Sequence, residues 1–174
     1  YGKPYNMDKT ALGVPLALEP LDASSQPSRA TVEQVYTQIV KDLTDGAPLL
    51  NKTKTNGYIN YYANRAILAR AYLYMENWGG ALAAAEEIIN SKVYTLYTNE
   101  NWVSSWTNQF NTESIFELAM LQGESDLGSG SLSFYLRRLG HGSTSAMGWF
   151  MASDYWLERM NQDPEDIRWG IMDY

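Results

Sequence analysis

The feature that most constrains this chain is a pair of alanine-rich segments joined by a short polar turn, running from Asn60 to Asn90. Asn60 is a natural N-cap, and Ala63, Ala66, Ile67, Ala69, Ala71 and Leu73 carry a helix toward Met75. The stretch Asn77 to Gly80 predicts a turn, after which Ala81, Leu82, Ala85, Ile88 and Ile89 form one stripe of a second helix ending near Asn90 and Ser91. Alanine removes bulk on more than one side, so the first of these helices suits the middle of a layered stack. A helix ahead of it is equally legible. Thr31 and Gln34 have capping-box spacing, Val32, Val35, Tyr36, Ile39, Val40 and Leu43 follow a helical period, and Gly46 with Pro48 predicts the stop.

The rest is less periodic. Residues 1–28 hold four of the six prolines and predict an extended lead-in, with Pro15 and Pro20 blocking helix. Val93 to Tyr97 and Ile115 to Met120 read as short extended pieces, and Asn99 to Asn111 as a loop with one helical turn. Gly123 to Gly148, rich in Gly and Ser yet holding Phe134, Tyr135, Arg137, Arg138 and His141, reads as a long functional loop. A last helix starts at Ser153 or Asp154, turns Trp156, Leu157 and Met160 inward, and precedes an acidic turn, Asn161 to Asp166. The expectation is a mainly all-α fold with long loops and little strand. It is organised as one domain, with a lead-in (1–28), helices (29–92), a loop-rich ligand region (93–152) and a C-terminal helix and turn (153–174).

Composition narrows the function classes. A formal charge of -7, with 13 Lys and Arg scattered among 174 residues, leaves no basic stripe for a phosphate backbone, so nucleic acid is not an expected partner. Cysteine is absent, which removes disulfides, thiolate metal sites and a Cys nucleophile. Thirteen Tyr and six Trp against four Phe favour rings with a polar handle, suited to a half-wet binding face. The sequence opens on Tyr1, carries no leader pattern, and interrupts its most apolar stretch, Ala66 to Met75, with Arg70. It reads as a soluble piece of a longer protein.

Leu68, Ala69, Tyr72, Trp78, Ala81 and Ala85 fall at tetratricopeptide positions: Ala69 and Ala81 clear the helix crossing, and Tyr72 and Trp78 fill its flanks. Tyr36 joins them as a packing ring. One such repeat cannot bury both faces, so further helices must stack on it. Around this core stand YGKPY (Tyr1 to Tyr5), LGVPL (Leu12 to Leu16), VYTQIVKDLTDGAPLL (Val35 to Leu50), ANRAILARAYLYMENWGGALAAAEEII (Ala63 to Ile89), ESIFELAM (Glu113 to Met120) and DPEDIRWG (Asp163 to Gly170). In that order they resemble the SusD/RagB family of nutrient-binding lipoproteins of Bacteroidetes. The resemblance implies an α-α superhelix of tetratricopeptide-like pairs, anchored to the outer membrane at the cell surface through an N-terminal lipidated Cys. It implies non-catalytic capture of oligosaccharide and delivery to a TonB-dependent SusC-like transporter. No such Cys is present here, so the anchor and part of the glycan site are expected outside these residues.

Sugar recognition needs flat rings for the C–H face of a pyranose and nearby polar groups for its hydroxyls. Trp149 and Tyr135 are the candidate stacking platforms, with Arg137, Asp126 and Asn108 as polar partners; the competing reading is that the rings pin the loop to the helices. Trp102 and Trp106, four apart, form a second candidate pair that one helical turn would set side by side, with core packing as the alternative. No cofactor or metal is expected: His141 is the sole histidine, and Asp163, Glu165 and Asp166 lack the ligand alternation of a calcium loop. Catalysis has little support. No G-x-S-x-G elbow occurs, Glu86 and Glu87 read as the polar side of a helix, and Asp154 and Glu158 share a face at helical spacing, with Asp154 better explained as favourable first-turn charge. Two other classes remain open, a helical-repeat adaptor that binds protein and a glycosidase accessory module.

Overall fold

A computed structural model describes residues 3–120, 130–137 and 147–172. The chain divides into two compact units, one formed by Tyr1–Thr95 with Thr112–Glu117, the other by Leu96–Asn111 with Leu118–Tyr174.

The first unit is built on three helices. Helix α1 spans Val32–Gly46, α2 Tyr61–Tyr74 and α3 Trp78–Ser91. Helix α1 starts as its sequence dictates: the Thr31 hydroxyl accepts from Gln34 N–H at 3.2 Å, while the Gln34 side chain accepts from Thr31 N–H at 2.8 Å. Two further first-turn N–H groups find carbonyls in the lead-in, Val32 on Ala11 at 2.8 Å and Glu33 on Lys9 at 3.0 Å. The lead-in is therefore more than a surface strap. Its residues Leu12–Pro15 form strand β1, antiparallel to strand β2, Arg29–Thr31, and the Arg29 guanidinium donates to the Gly13 and Leu12 carbonyls. Tyr5 meets Tyr36 edge to face at 5.1 Å, which gives Tyr36 its packing role.

Helix α1 ends at Gly46, but by a different device from the one expected. Gly46 keeps right-handed dihedrals (φ -75°), and the chain tightens into a 3-10 turn, Ala47–Leu49, that accommodates the missing N–H of Pro48. The turn after α2 also lies earlier than expected, at Met75 to Asn77. Asn77 N–H bonds the Tyr72 carbonyl and Glu76 N–H the Leu73 carbonyl, a Schellman closure with Glu76 in the left-handed region at φ 56°. Asn77 then caps α3 by accepting from Gly80 N–H, so Gly79 and Gly80 lie inside the helix.

Helices α2 and α3 run antiparallel: the Tyr61 hydroxyl at the start of α2 donates to Glu87 Oε2 near the end of α3 at 2.6 Å. The buried apolar residues of the pair are Ala63, Leu68 and Ala71 on α2 and Ala84 and Ile88 on α3, with Ala69, Ala81 and Ala85 half-buried. Burying Leu68 and Ile88 contributes about 1.5–3 kcal/mol each. The stripe differs from the expected one. Leu82 and Ile89 are exposed, as are Ile67 and Leu73, because α3 turns the face of Ala84 inward, where the absent bulk lets the helices close. Trp78 does not fill a flank; its side chain is 61% exposed at the first position of α3.

A buried polar pair, unforeseen in the sequence, ties α1 to α2. The Arg65 guanidinium bonds Asn64 Oδ1 at 2.6 Å and the Leu43 carbonyl at 2.9 Å, and lies 5.4 Å over the Tyr61 ring. Arg65 thereby satisfies a carbonyl in the last turns of α1. The unit closes where Thr95 N–H bonds the Thr112 carbonyl at 3.1 Å; 93–97 and 115–120 run without assigned strand.

The second unit holds three short helices among its described residues: α4 (Asn99–Ser105), α5 (Leu132–Leu136) and α6 (Asp154–Met160), with a 3-10 turn at Ile167–Ile171. The expected single turn after Asn99 is thus a two-turn helix, entered where the Asn101 side chain accepts from Thr98 N–H. Within the expected loop 123–148 the described part contains α5. Helix α6 begins at its Ser153 cap and buries Met160, while Leu157 is half-buried and Trp156, 36% exposed, lies edge-on to Trp169 at 6.3 Å. The 3-10 turn packs on α4 so closely that a Cβ at Gly170 would lie 2.8 Å from Val103 Cγ2.

Candidate functional site

The densest aromatic group of the second unit forms where the chain leaves α5 and returns beside it. Ser131 opens the helix, its hydroxyl accepting from Phe134 N–H. The returning segment is held by backbone bonds: Met147 N–H on the Phe134 carbonyl at 2.7 Å, and Trp149 N–H on the Tyr135 carbonyl at 2.9 Å. Gly148 between them takes φ 61°, the left-handed region that glycine enters at no steric cost, and so turns the chain back to bring in Trp149.

The result places Tyr135 and Trp149 together, ring centroids 5.3 Å apart and planes inclined at 42°. Trp149 is 63% exposed and Tyr135 half-buried, so the phenol backs an indole that reaches solvent. Two further rings join, both missed in the sequence reading. Phe134 packs edge to face on Tyr135 at 5.0 Å, and exposed Phe150 lies 6.2 Å away on the same ring. The adjacent doublets Phe134-Tyr135 and Trp149-Phe150 were the available signal. Arg137 follows α5 and is exposed; Asp126 and His141 lie outside the described residues.

The second candidate pair sits on α4. Trp102 and Trp106 are 5.5 Å apart at 76°, one ring's edge on the other's face, with Trp102 half-buried and Trp106 exposed. Asn108 is exposed just beyond, its amide donating weakly to the Ser104 carbonyl at 3.4 Å. Among the described residues no ring contact joins Trp102 or Trp106 to Tyr135 or Trp149.

Three of the acidic side chains considered above, Glu87, Asp163 and Asp166, hold hydrogen bonds. Glu87 accepts from Tyr61, and that bond holds the Tyr61 phenol above its ordinary pKa. Asp163 accepts from Glu165 N–H, and Asp166 from the Arg168 guanidinium and N–H, which together lower the Asp166 pKa from 3.8 to about 2. Among the described residues no group of three or more His, Cys, Asp or Glu could hold a metal ion, and no helix is long and apolar enough to cross a membrane. The chemistry on offer is ring stacking with hydrogen bonding from neighbouring polar groups.

No protein-family model matches the chain, and no curated protein matches it. Solved structures do. A SusD superfamily protein from Bacteroides thetaiotaomicron VPI-5482 is 33% identical with a TM-score of 0.76, over 98% of this chain and 38% of its own. A SusD superfamily protein from Bacteroides vulgatus ATCC 8482 is 33% identical with a TM-score of 0.79, over 97% and 38%. Another protein of that strain, provisionally described as sugar-binding, is 30% identical with a TM-score of 0.77, over 100% and 39%. Sharing their helical fold and about a third of their residues along almost all of its own length, the chain is a SusD-like segment, spanning about two fifths of the superfamily members it matches.

Proposed function

We propose that this chain is part of a non-catalytic, cell-surface glycan-binding protein that holds oligosaccharide and hands it to a TonB-dependent, SusC-like transporter. The observation that carries the reading is the similarity, along nearly all of this chain, to SusD superfamily structures and to a further structure described as sugar-binding. What supports a sugar ligand locally is the exposed Trp149 indole beside Tyr135, with exposed Arg137 two residues further along the chain. In this reading Asp126 and Asn108 supply further hydrogen bonds, Trp102 and Trp106 form a second contact, and an N-terminal lipid holds the whole protein at the outer membrane.

The test is binding of an oligosaccharide panel to the protein, by calorimetry, with Trp149→Ala alongside. An exposed aromatic anchor contributes on the order of 1–2 kcal/mol, so the variant should bind the best ligand about tenfold more weakly. Binding unchanged by Trp149→Ala would remove the ring pair from the site. No binding to any panel member by the full-length protein would count against the reading itself. A second reading, a helical pair that docks protein, is favoured by exposed Trp78, Leu82 and Ile89 along α3.

A further inference from the structure

The loop that delivers the chain to α2 contains an exposed asparagine–glycine step. Thr55 to Tyr58 form a turn closed by one bond, Tyr58 N–H to the Thr55 carbonyl at 3.1 Å, with Gly57 left-handed at φ 78° in its third position. Asn56 precedes Gly57 and is exposed; it is the only asparagine in the sequence followed by glycine. Neither the Asn56 side chain nor the Gly57 N–H has a hydrogen-bond partner among the described residues. Gly57 has no Cβ to shield its nitrogen or to limit rotation of the peptide.

We propose that Asn56 is a self-modification site that converts to aspartate and isoaspartate through a cyclic imide. The Gly57 nitrogen, having lost its proton to solvent base, attacks Asn56 Cγ. A C–N bond forms, the Cγ–Nδ2 bond breaks, and the amide leaves as ammonia after taking up a proton. Water then opens the five-membered ring. Addition at Cγ restores the normal backbone with an aspartate side chain; addition at the main-chain carbonyl carbon routes the backbone through the side chain. The sum is one water consumed and one ammonia released, without oxidant or reductant. Closing the ring needs rotation about the Asn56 Cα–C bond, which within the turn itself is restrained by the bond from Tyr58 N–H to the Thr55 carbonyl.

The consequence falls on the entry to α2. This loop is fastened to the helix at both ends, by Tyr61 N–H on the Asn51 carbonyl at 2.8 Å and by Asn60, whose amide reaches the Thr53 carbonyl at 3.4 Å and the Tyr94 hydroxyl at 2.9 Å. Its two lysines already lie over rings, Lys52 over Tyr61 and Lys54 over Tyr94. Isoaspartate lengthens the backbone between these fastenings by one carbon, and either product adds a negative charge.

The whole chain is incubated at mildly alkaline pH and sampled by isoelectric focusing and peptide mapping, with isoaspartate identified by enzymatic methylation. The expected result is a species one charge more acidic, confined to the peptide containing Asn56, holding both products and accumulating faster as pH rises. Asn56→Gln, whose ring closure is slower, should lose that species while keeping the native circular dichroism spectrum. The same incubation in denaturant shows that conversion at this dipeptide is readable. The proposal is overturned if Asn56 stays intact in the folded chain, if another asparagine converts first, or if aspartate forms without isoaspartate.

Discussion

Two adjacent glycines in the first turn of α3 should respond to the same substitution with opposite signs. Replacing helical glycine by alanine stabilises by roughly 0.5–1 kcal/mol, because the unfolded chain loses freedom. At Gly79 that is the whole effect, since an added Cβ meets nothing within 4 Å. At Gly80 the Cβ would lie 2.8 Å from Asn77 Nδ2 and 2.9 Å from Tyr72 Cδ2. The Tyr72 ring comes from α2 and is half-buried, so it has little room to retreat. The Asn77 amide could swing away, but its oxygen caps this very residue at 3.1 Å. Overpacking of this kind costs about 1–3 kcal/mol, and a lost cap about 1 kcal/mol. The two variants should therefore differ by about 2 kcal/mol, Gly79→Ala above the parent and Gly80→Ala below it. In a chain of this size that separates their thermal midpoints by about 4–8 °C. Urea unfolding followed by far-ultraviolet circular dichroism reads the difference directly. If Gly80→Ala matches Gly79→Ala, then α2 and α3 do not approach as closely as described, and the alanine seam is not what sets their spacing.

Two further outcomes follow from individual hydrogen bonds. Asn60 is 3% exposed, caps α2 through Ala63 N–H at 2.9 Å and donates to Tyr94; Asn60→Ala should cost about 2–3 kcal/mol in urea unfolding. Asn60→Asp, which keeps the acceptor and loses the donor, should fall between. Asp166 has its folded pKa depressed from 3.8 to about 2 by Arg168, so its contribution to stability is present above pH 3.8 and is lost as pH falls through about 2. Asp166→Asn should flatten that part of an acid titration of the thermal midpoint; an unchanged slope would show that the pair does not persist in solution.

Helix starts were legible because they are local. Thr31 with Gln34, Asn60, and Ser153 each announce a cap within a few residues, and each caps its helix in the structure. Helix faces were less so. The periodicity of α3 fits Leu82 and Ile89 inward as well as Ala84 and Ile88, and only the approach of α2 decides between them. Arg65 was invisible for a related reason: a guanidinium is buried only when a carbonyl from another helix is in reach, and Leu43 is far off in sequence. At the candidate site, the pairing of Tyr135 with Trp149 depends on a left-handed Gly148, a cue the sequence contains but does not distinguish from the other glycines of that stretch.

The Thr95 to Thr112 bond bears on how this protein can be dissected. The first unit is left at Thr95, re-entered for Thr112–Glu117, and left again, so along the sequence residues 96–111 of the second unit interrupt the first. A truncation ending at 95 would strip away the segment that closes the helical unit, whereas one ending at 117 would carry 96–111, part of the second unit, as an internal loop without the rest of that unit. Neither unit is a contiguous stretch, and no single scission yields both intact. Expressing the helices alone calls for both an end at 117 and the replacement of 96–111 by a short bridge.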